Sequence, residues 1–229
     1  MTPGLRIDPK KEIHFGRWIA LALAAMLLAV AGYYGLQWYT KGVVPPVPVP
    51  AYATADASLD EAPISGEQID SYTVDPDKPR YISIPTLGIE KIRVLSVGLT
   101  STKMLDVPKN INDTAWYNAS ATPGNGHGAV VIDGHNGGVT RDGVFAKLSN
   151  LKQGDTITIE RGDGKRFTYK VQTNETMSLE KANKTGMKDM MQSIEPDKEG
   201  LSLITCAGTW IPRDKVFDQR VMVRATIDQ

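Results

Sequence analysis

Among 229 residues the chain has one cysteine, Cys206. That excludes an intrachain disulfide and leaves too few thiols for a cysteine-rich zinc site. Aromatic residues are scarce at 7% and are not interleaved with basic ones, which removes the stacking platform that single-strand nucleic-acid binding uses. A net charge of either sign is missing too: 26 Lys+Arg balance 26 Asp+Glu, so no basic field points to a nucleic-acid partner. There is no internal repeat and no heptad pattern. The lone thiol then has two readings, a packed core residue or a nucleophile.

What is present starts with one long apolar run. Residues 18–36 carry no charge, with Arg6, Lys10, Lys11 and Arg17 before them and Lys41 after. About twenty helical residues at 1.5 Å rise match a hydrocarbon core of roughly 30 Å. Trp18, Tyr33, Tyr34, Trp38 and Tyr39 suit its two interfaces. The excess of Lys and Arg ahead of the run predicts a cytoplasmic N-terminus over 1–17, a membrane anchor over 18–39 and an extracellular remainder. Ala29-Val30-Ala31 resembles a signal-peptide cleavage site, but apolar and aromatic character continues to Tyr39, so the expectation is an uncleaved anchor. An unpaired cysteine beyond the membrane calls for a reason.

Residues 40–79 shift to Pro, Ala, Ser, Asp and Glu, opening on a polyproline-like stretch at 43–50. This composition predicts an extended, semi-rigid extracellular spacer, with a polyproline ligand as the other reading. Residues 80–229 form the folded domain. Strand patterns fall at 81–85, 92–97, 129–132, 156–159, 167–171, 201–206 and 221–227, several alternating apolar and polar positions. Gly162-Asp163-Gly164 fits a hairpin loop. Helical pattern is confined to a turn or two at 144–148 and a short, imperfect helix at 178–193. Many short strands with few helices predict a mainly β domain, a closed or nearly closed, antiparallel-rich barrel of about eight strands.

Within that domain the strand at 129–132 runs straight into Asp133-Gly134-His135-Asn136-Gly137, a histidine on a loop flanked by glycines. His127 has a similar context, and the residues alone do not choose between the two. Arg220 follows Cys206 by fourteen positions at the start of the last strand pattern. A guanidinium there could favour a thiolate and stabilise an oxyanion, with Arg213 and Arg224 as competitors.

From about Arg80 to Ile227 the chain resembles the sortases, membrane-anchored cysteine transpeptidases of Gram-positive cell envelopes. The resemblance lies in Leu203-Ile204-Thr205-Cys206, in Arg220 within Gln219-Arg220-Val221-Met222-Val223, and in Gly134-His135. The order of Tyr81-Ile82-Ser83-Ile84-Pro85, Trp116-Tyr117, Pro123 to Val130, and Val144 to Leu148 followed by Gly154-Asp155 supports it. The pattern is most similar to the class F, actinobacterial-type group, although Asn136-Gly137-Gly138 departs from that group after the histidine.

The resemblance implies a sortase-type barrel with Cys206 as nucleophile, His135 as acid/base and Arg220 as oxyanion stabiliser. It also implies Thr205 at the substrate groove, and neither a metal nor a cofactor. It implies cleavage of a Leu-Pro-X-Thr-Gly-like sorting signal between Thr and Gly through a thioester. The acyl group then passes to an amine such as a cell-wall precursor or a pilin lysine. The implied partners are secreted proteins bearing the signal, and the implied location is the cell membrane with the catalytic domain outside. No second apolar span occurs, and Asp75-Pro76 is followed by Asp77 rather than an aromatic residue, so surface-protein anchoring is expected ahead of pilin polymerisation. The alternatives outside transpeptidation are a cysteine hydrolase and a non-catalytic, membrane-tethered scaffold.

Overall fold

A computed structural model of the chain describes residues 15–50 and 54–228. Arg6, Lys10 and Lys11, on which the expected orientation rests, lie outside the described residues. Helix α1 spans Phe15–Lys41 and is long and apolar enough to cross a membrane. Its apolar side chains, among them Leu27 and Leu28, are unburied. Gly42 ends it in the left-handed conformation (φ 69°), its N–H donating to the Trp38 carbonyl at 2.8 Å.

Eight strands follow: β1 (Pro79–Ile84), β2 (Ile89–Val97), β3 (Thr114–Tyr117), β4 (Ala129–Gly134), β5 (Thr156–Arg161), β6 (Arg166–Ser178), β7 (Gly200–Ile211) and β8 (Val216–Ile227). They close into a barrel in the order β1-β2-β3-β4-β7-β8-β6-β5. The closed, mainly β barrel expected from the strand patterns is present. It is mixed rather than purely antiparallel, because β2–β3 and β4–β7 pair in parallel. Parallel neighbours need long crossovers. Here residues 98–113 and 135–199 supply them.

One strand escaped the pattern reading. β3 has four residues, Thr-Ala-Trp-Tyr, three of them buried, and shows no alternation. Residues 144–148 are a turn leading into a single 3₁₀ turn at Leu148–Asn150 rather than an α-helix. The 178–193 region is the short, irregular helix expected: α2 at Gly66–Asp70 aside, it holds α3 (Leu179–Lys181), a π turn at Ala182–Gly186 and α4 (Met187–Met190).

The barrel interior is filled by Ile82, Trp116, Ile132, Phe145, Ile157, Tyr169, Leu203 and Val223 with their neighbours. The Phe145 ring packs against Gly134, so closely that a β-carbon there would overlap it. The Phe145 N–H donates to the His135 carbonyl at 2.9 Å. Core packing therefore fixes the backbone where the histidine loop leaves β4.

Arg93 on β2 grips Asp113 with two hydrogen bonds, 2.8 and 2.7 Å, just ahead of β3. The Asp113 side chain is 4% exposed and that of Arg93 16%. Removing one member of such a pair leaves the other charge poorly solvated. Asp113→Ala is expected to cost about 3 kcal/mol in urea unfolding, the low end for a buried pair because Arg93 keeps some water. A change under about 0.5 kcal/mol would show that the pair is not a structural tie.

Candidate active site

Cys206 and Arg220 are direct cross-strand partners on β7 and β8. Side chains opposite each other on neighbouring strands share a face of the sheet. β4 joins the same face through the Asp133–Ile204 pairing with β7, because Ile204 and Cys206 are two residues apart. Cys206, Arg220, Asp133 and Ile204 thus line one cavity of about 580 Å³. Its remaining wall is largely apolar, from Leu99, Met104 and Leu105 on one side to Leu179 and Met187 on the other.

Three influences act on the thiol. Burial holds Cys206 in its neutral form and dominates, while the Arg220 cation favours the thiolate and the Asp133 carboxylate disfavours it; together they push the thiol up to about 11. Arg220 Nη1 donates to the carbonyls of Phe217 (2.9 Å) and Gln219 (2.7 Å), leaving Nε and Nη2 for a ligand. Asp133 itself is raised to about 7 by desolvation, against the Gly134 N–H and the Arg220 charge.

His135 follows β4 by one residue and is 9% exposed. Its Nε2 lies 2.6 Å from the Pro108 carbonyl. A carbonyl only accepts, so Nε2 carries hydrogen and Nδ1 is the lone-pair nitrogen of the neutral ring. Burial lowers its pKa, partly opposed by the Pro108 carbonyl and the Asp56 charge. His135 sits at the strand end beside the thiol's wall and is not itself on the cavity surface. His127 lies in the exposed turn at the other end of β4, so the fold separates the two histidines.

Thr205 faces away from Cys206, as strand alternation requires. It is buried, and its hydroxyl donates to the Gly134 carbonyl at 2.7 Å. It therefore ties β7 to the residue before His135. Arg213 pairs with Asp214 at an exposed turn, and Arg224 donates to the Gln192 carbonyl, so neither competitor reaches the thiol.

Residues 54–79 lie along the barrel. The Glu61 carboxylate accepts from the backbone of Val139 and Thr140 and from the Thr140 hydroxyl, and Asp60 bridges to Asn110 and Ile111. These contacts brace the loop carrying His135 and the loop carrying Pro108. They are made by carboxylates and backbone groups, which is why a spacer-like composition gave no warning of them. Asp133 is a further cavity residue that the motifs do not single out, placed on the thiol's face by its pairing with Ile204. Among the described residues no cluster of His, Cys, Asp and Glu fits a metal ion.

A thiol paired with a guanidinium across a β-barrel groove, with a buried imidazole at the neighbouring strand end, has groups of the kind that cysteine acyl transfer uses. The Sortase domain family matches residues 82–228, and the chain belongs to this family of cysteine transpeptidases. No curated protein matches the chain. Among solved structures it is similar to sortase A from Corynebacterium diphtheriae (a lid mutant) at 24% identity, covering 72% of this chain and 81% of that one, TM-score 0.49. It is similar to the pilus-related sortase C of Group B Streptococcus at 18% identity, with 79% and 82% coverage and TM-score 0.50. For Streptococcus pneumoniae sortase C the values are 16%, 85% and 84%, and 0.50. At these identities the likeness concerns the fold.

Proposed function

We propose that the chain is a transpeptidase that cleaves a Leu-Pro-X-Thr-Gly-like sorting signal between Thr and Gly and transfers the acyl part to an envelope amine. The observation that carries this reading is the cross-strand pairing of Cys206 with Arg220 on the wall of one groove-like cavity. Cys206 is the nucleophile, and Arg220 donates through Nε and Nη2 to the tetrahedral oxyanion. His135 is the acid/base that protonates the departing glycine amine and then deprotonates the incoming one. In the resting structure its Nε2 is held by the Pro108 carbonyl, and catalytic hydrogen bonds of resting active sites form fully only in the complex. Thr205 supports the groove from behind by fixing the end of β4.

Residues 18–39 anchor the chain, with 1–17 cytoplasmic, 40–79 as the extracellular stretch leading to the barrel, and 80–229 catalytic. The class F, actinobacterial-type subgroup and surface-protein anchoring remain the preferred refinements. Pilin polymerisation is the second reading, kept because the sortase C proteins named above share the barrel. The partners are secreted proteins carrying the signal and an acceptor amine of a cell-wall precursor or a pilin lysine.

The test is mass spectrometry of the full-length protein in detergent with a Leu-Pro-X-Thr-Gly peptide library and an amine. The expected product is cut after Thr and joined to the amine. Cut but unjoined product in the presence of amine indicates a hydrolase. No acyl-enzyme from folded protein returns the scaffold reading.

A further inference from the structure

Asp133 is the acidic side chain in the cavity, and the mechanism above leaves it unused. It is 9% exposed and lies on the cavity wall with Cys206 and Arg220. A carboxylate can accept about four hydrogen bonds. No side chain among the described residues donates one to Asp133, and the carboxylate adjoins the cavity. The charged or titratable groups around it are Cys206 from β7, Arg220 from β8, Tyr117 from β3, Lys103 and Lys188 across the cavity, and His135 beyond it on its own strand end.

This carboxylate opposes the first half of the reaction. When ionised it raises the Cys206 thiol, against the influence of Arg220. Once Cys206 is a thioester, that conflict is gone, because a thioester sulfur carries no charge. The next reactant is an amine, which is an ammonium at neutral pH. It is attracted to a carboxylate and must lose a proton before its nitrogen can attack.

We propose that Asp133 forms the subsite for the incoming amine, binding its ammonium group beside Cys206. The inference rests on the Cys206 thioester proposed above. The bound ammonium passes one proton to the His135 imidazole, which the first half of the reaction leaves neutral, giving a neutral amine and an imidazolium. The nitrogen lone pair forms the C–N bond to the thioester carbonyl carbon. Collapse of the tetrahedral adduct breaks the C–S bond, and its electron pair stays on sulfur. The proton shed as nitrogen becomes an amide restores the Cys206 thiol, and the His135 proton returns to solvent.

The test is the ratio of amide to acid formed by the full-length protein in detergent with the same peptide library, using two nucleophiles. Triglycine arrives as an ammonium, whereas hydroxylamine is largely uncharged at neutral pH. Asp133→Asn is expected to lower the amide-to-acid ratio at least about tenfold for triglycine and less than about threefold for hydroxylamine, with partial recovery in Asp133→Glu. A ratio counts only molecules that have acylated, so misfolded protein does not enter it. In the unmutated protein, N-trimethylated triglycine, a cation without a nucleophilic lone pair, is expected to compete with triglycine. An unchanged triglycine ratio, an equal fall with both nucleophiles, or no competition at hundredfold excess overturns the amine subsite while Cys206 is still seen to acylate. If the unmutated protein forms no acyl group on Cys206, the thioester reading fails and the subsite falls with it.

Discussion

Cys206→Ala is expected to remove acyl-enzyme formation completely and to lower peptide cleavage by at least about 10³-fold, with the barrel intact. The sulfur is the only thiol in the chain, so no second nucleophile can stand in. Loss of a nucleophile removes the covalent path itself rather than one stabilising contact, which is why its effect exceeds that of any other single substitution. The structural effect is small by comparison. Cys206 is only partly buried and makes no disulfide, so replacing Sγ by hydrogen is expected to change stability by less than about 1 kcal/mol. Circular dichroism and urea unfolding check the fold, and intact-mass spectrometry with the peptide library checks the chemistry. Retained cleavage in the folded variant would sink the thioester mechanism and favour another hydrolytic site.

The resting protonation state follows from burial. The thiol is pushed up to about 11, and His135 is lowered by its own desolvation. A thiol raised that far is almost wholly protonated at pH 7. The resting pair is therefore thiol and neutral imidazole, and the reactive thiolate with imidazolium is a minor population. Desolvation disfavours both charged forms separately, but a bound peptide carbonyl placed between Arg220 and Cys206 lets the negative charge pass from sulfur to an oxyanion that Arg220 can hold. The sequence of charges, not a preformed thiolate, sets the demand on the guanidinium.

The barrel was legible because its long strands carry their pattern openly. Alternation at 156–159 and 167–171 marks β5 and β6, and Gly162-Asp163-Gly164 marks the turn joining them. Cys206 and Arg220 could be placed at the facing ends of two successive strand patterns. Their exact register could not be foreseen, since a turn of different length would place another residue opposite the thiol. β3 was illegible because four residues, three of them buried in a row, have no period to read. The parallel β4–β7 pairing, which brings Asp133 to the thiol, joins segments some seventy residues apart, and no local pattern encodes it. Glu61 was illegible for a different reason. It works by accepting backbone N–H groups of the histidine loop, and backbone donors look the same in every sequence.

Arg220→Ala is expected to lower kcat/KM by about 10²–10³ while leaving KM for the peptide little changed, the pattern of an interaction made mainly in the transition state. Two roles of the guanidinium are separable. As a permanent cation it lowers the Cys206 pKa, so its removal leaves burial and Asp133 unopposed and drives the thiol higher still. Alkylation of Cys206 by iodoacetamide at fixed pH is then expected to slow, and the pH at which it saturates to rise. As a fork it anchors through Nη1 to Phe217 and Gln219 and offers Nε and Nη2 to the oxyanion. Arg220→Lys keeps the charge and loses the fork. It is expected to recover most of the alkylation rate and little of the peptide turnover. Recovery of both together would assign Arg220 to thiolate stabilisation alone. Failure to slow alkylation in Arg220→Ala would detach it from the thiol altogether, despite their facing positions on β7 and β8.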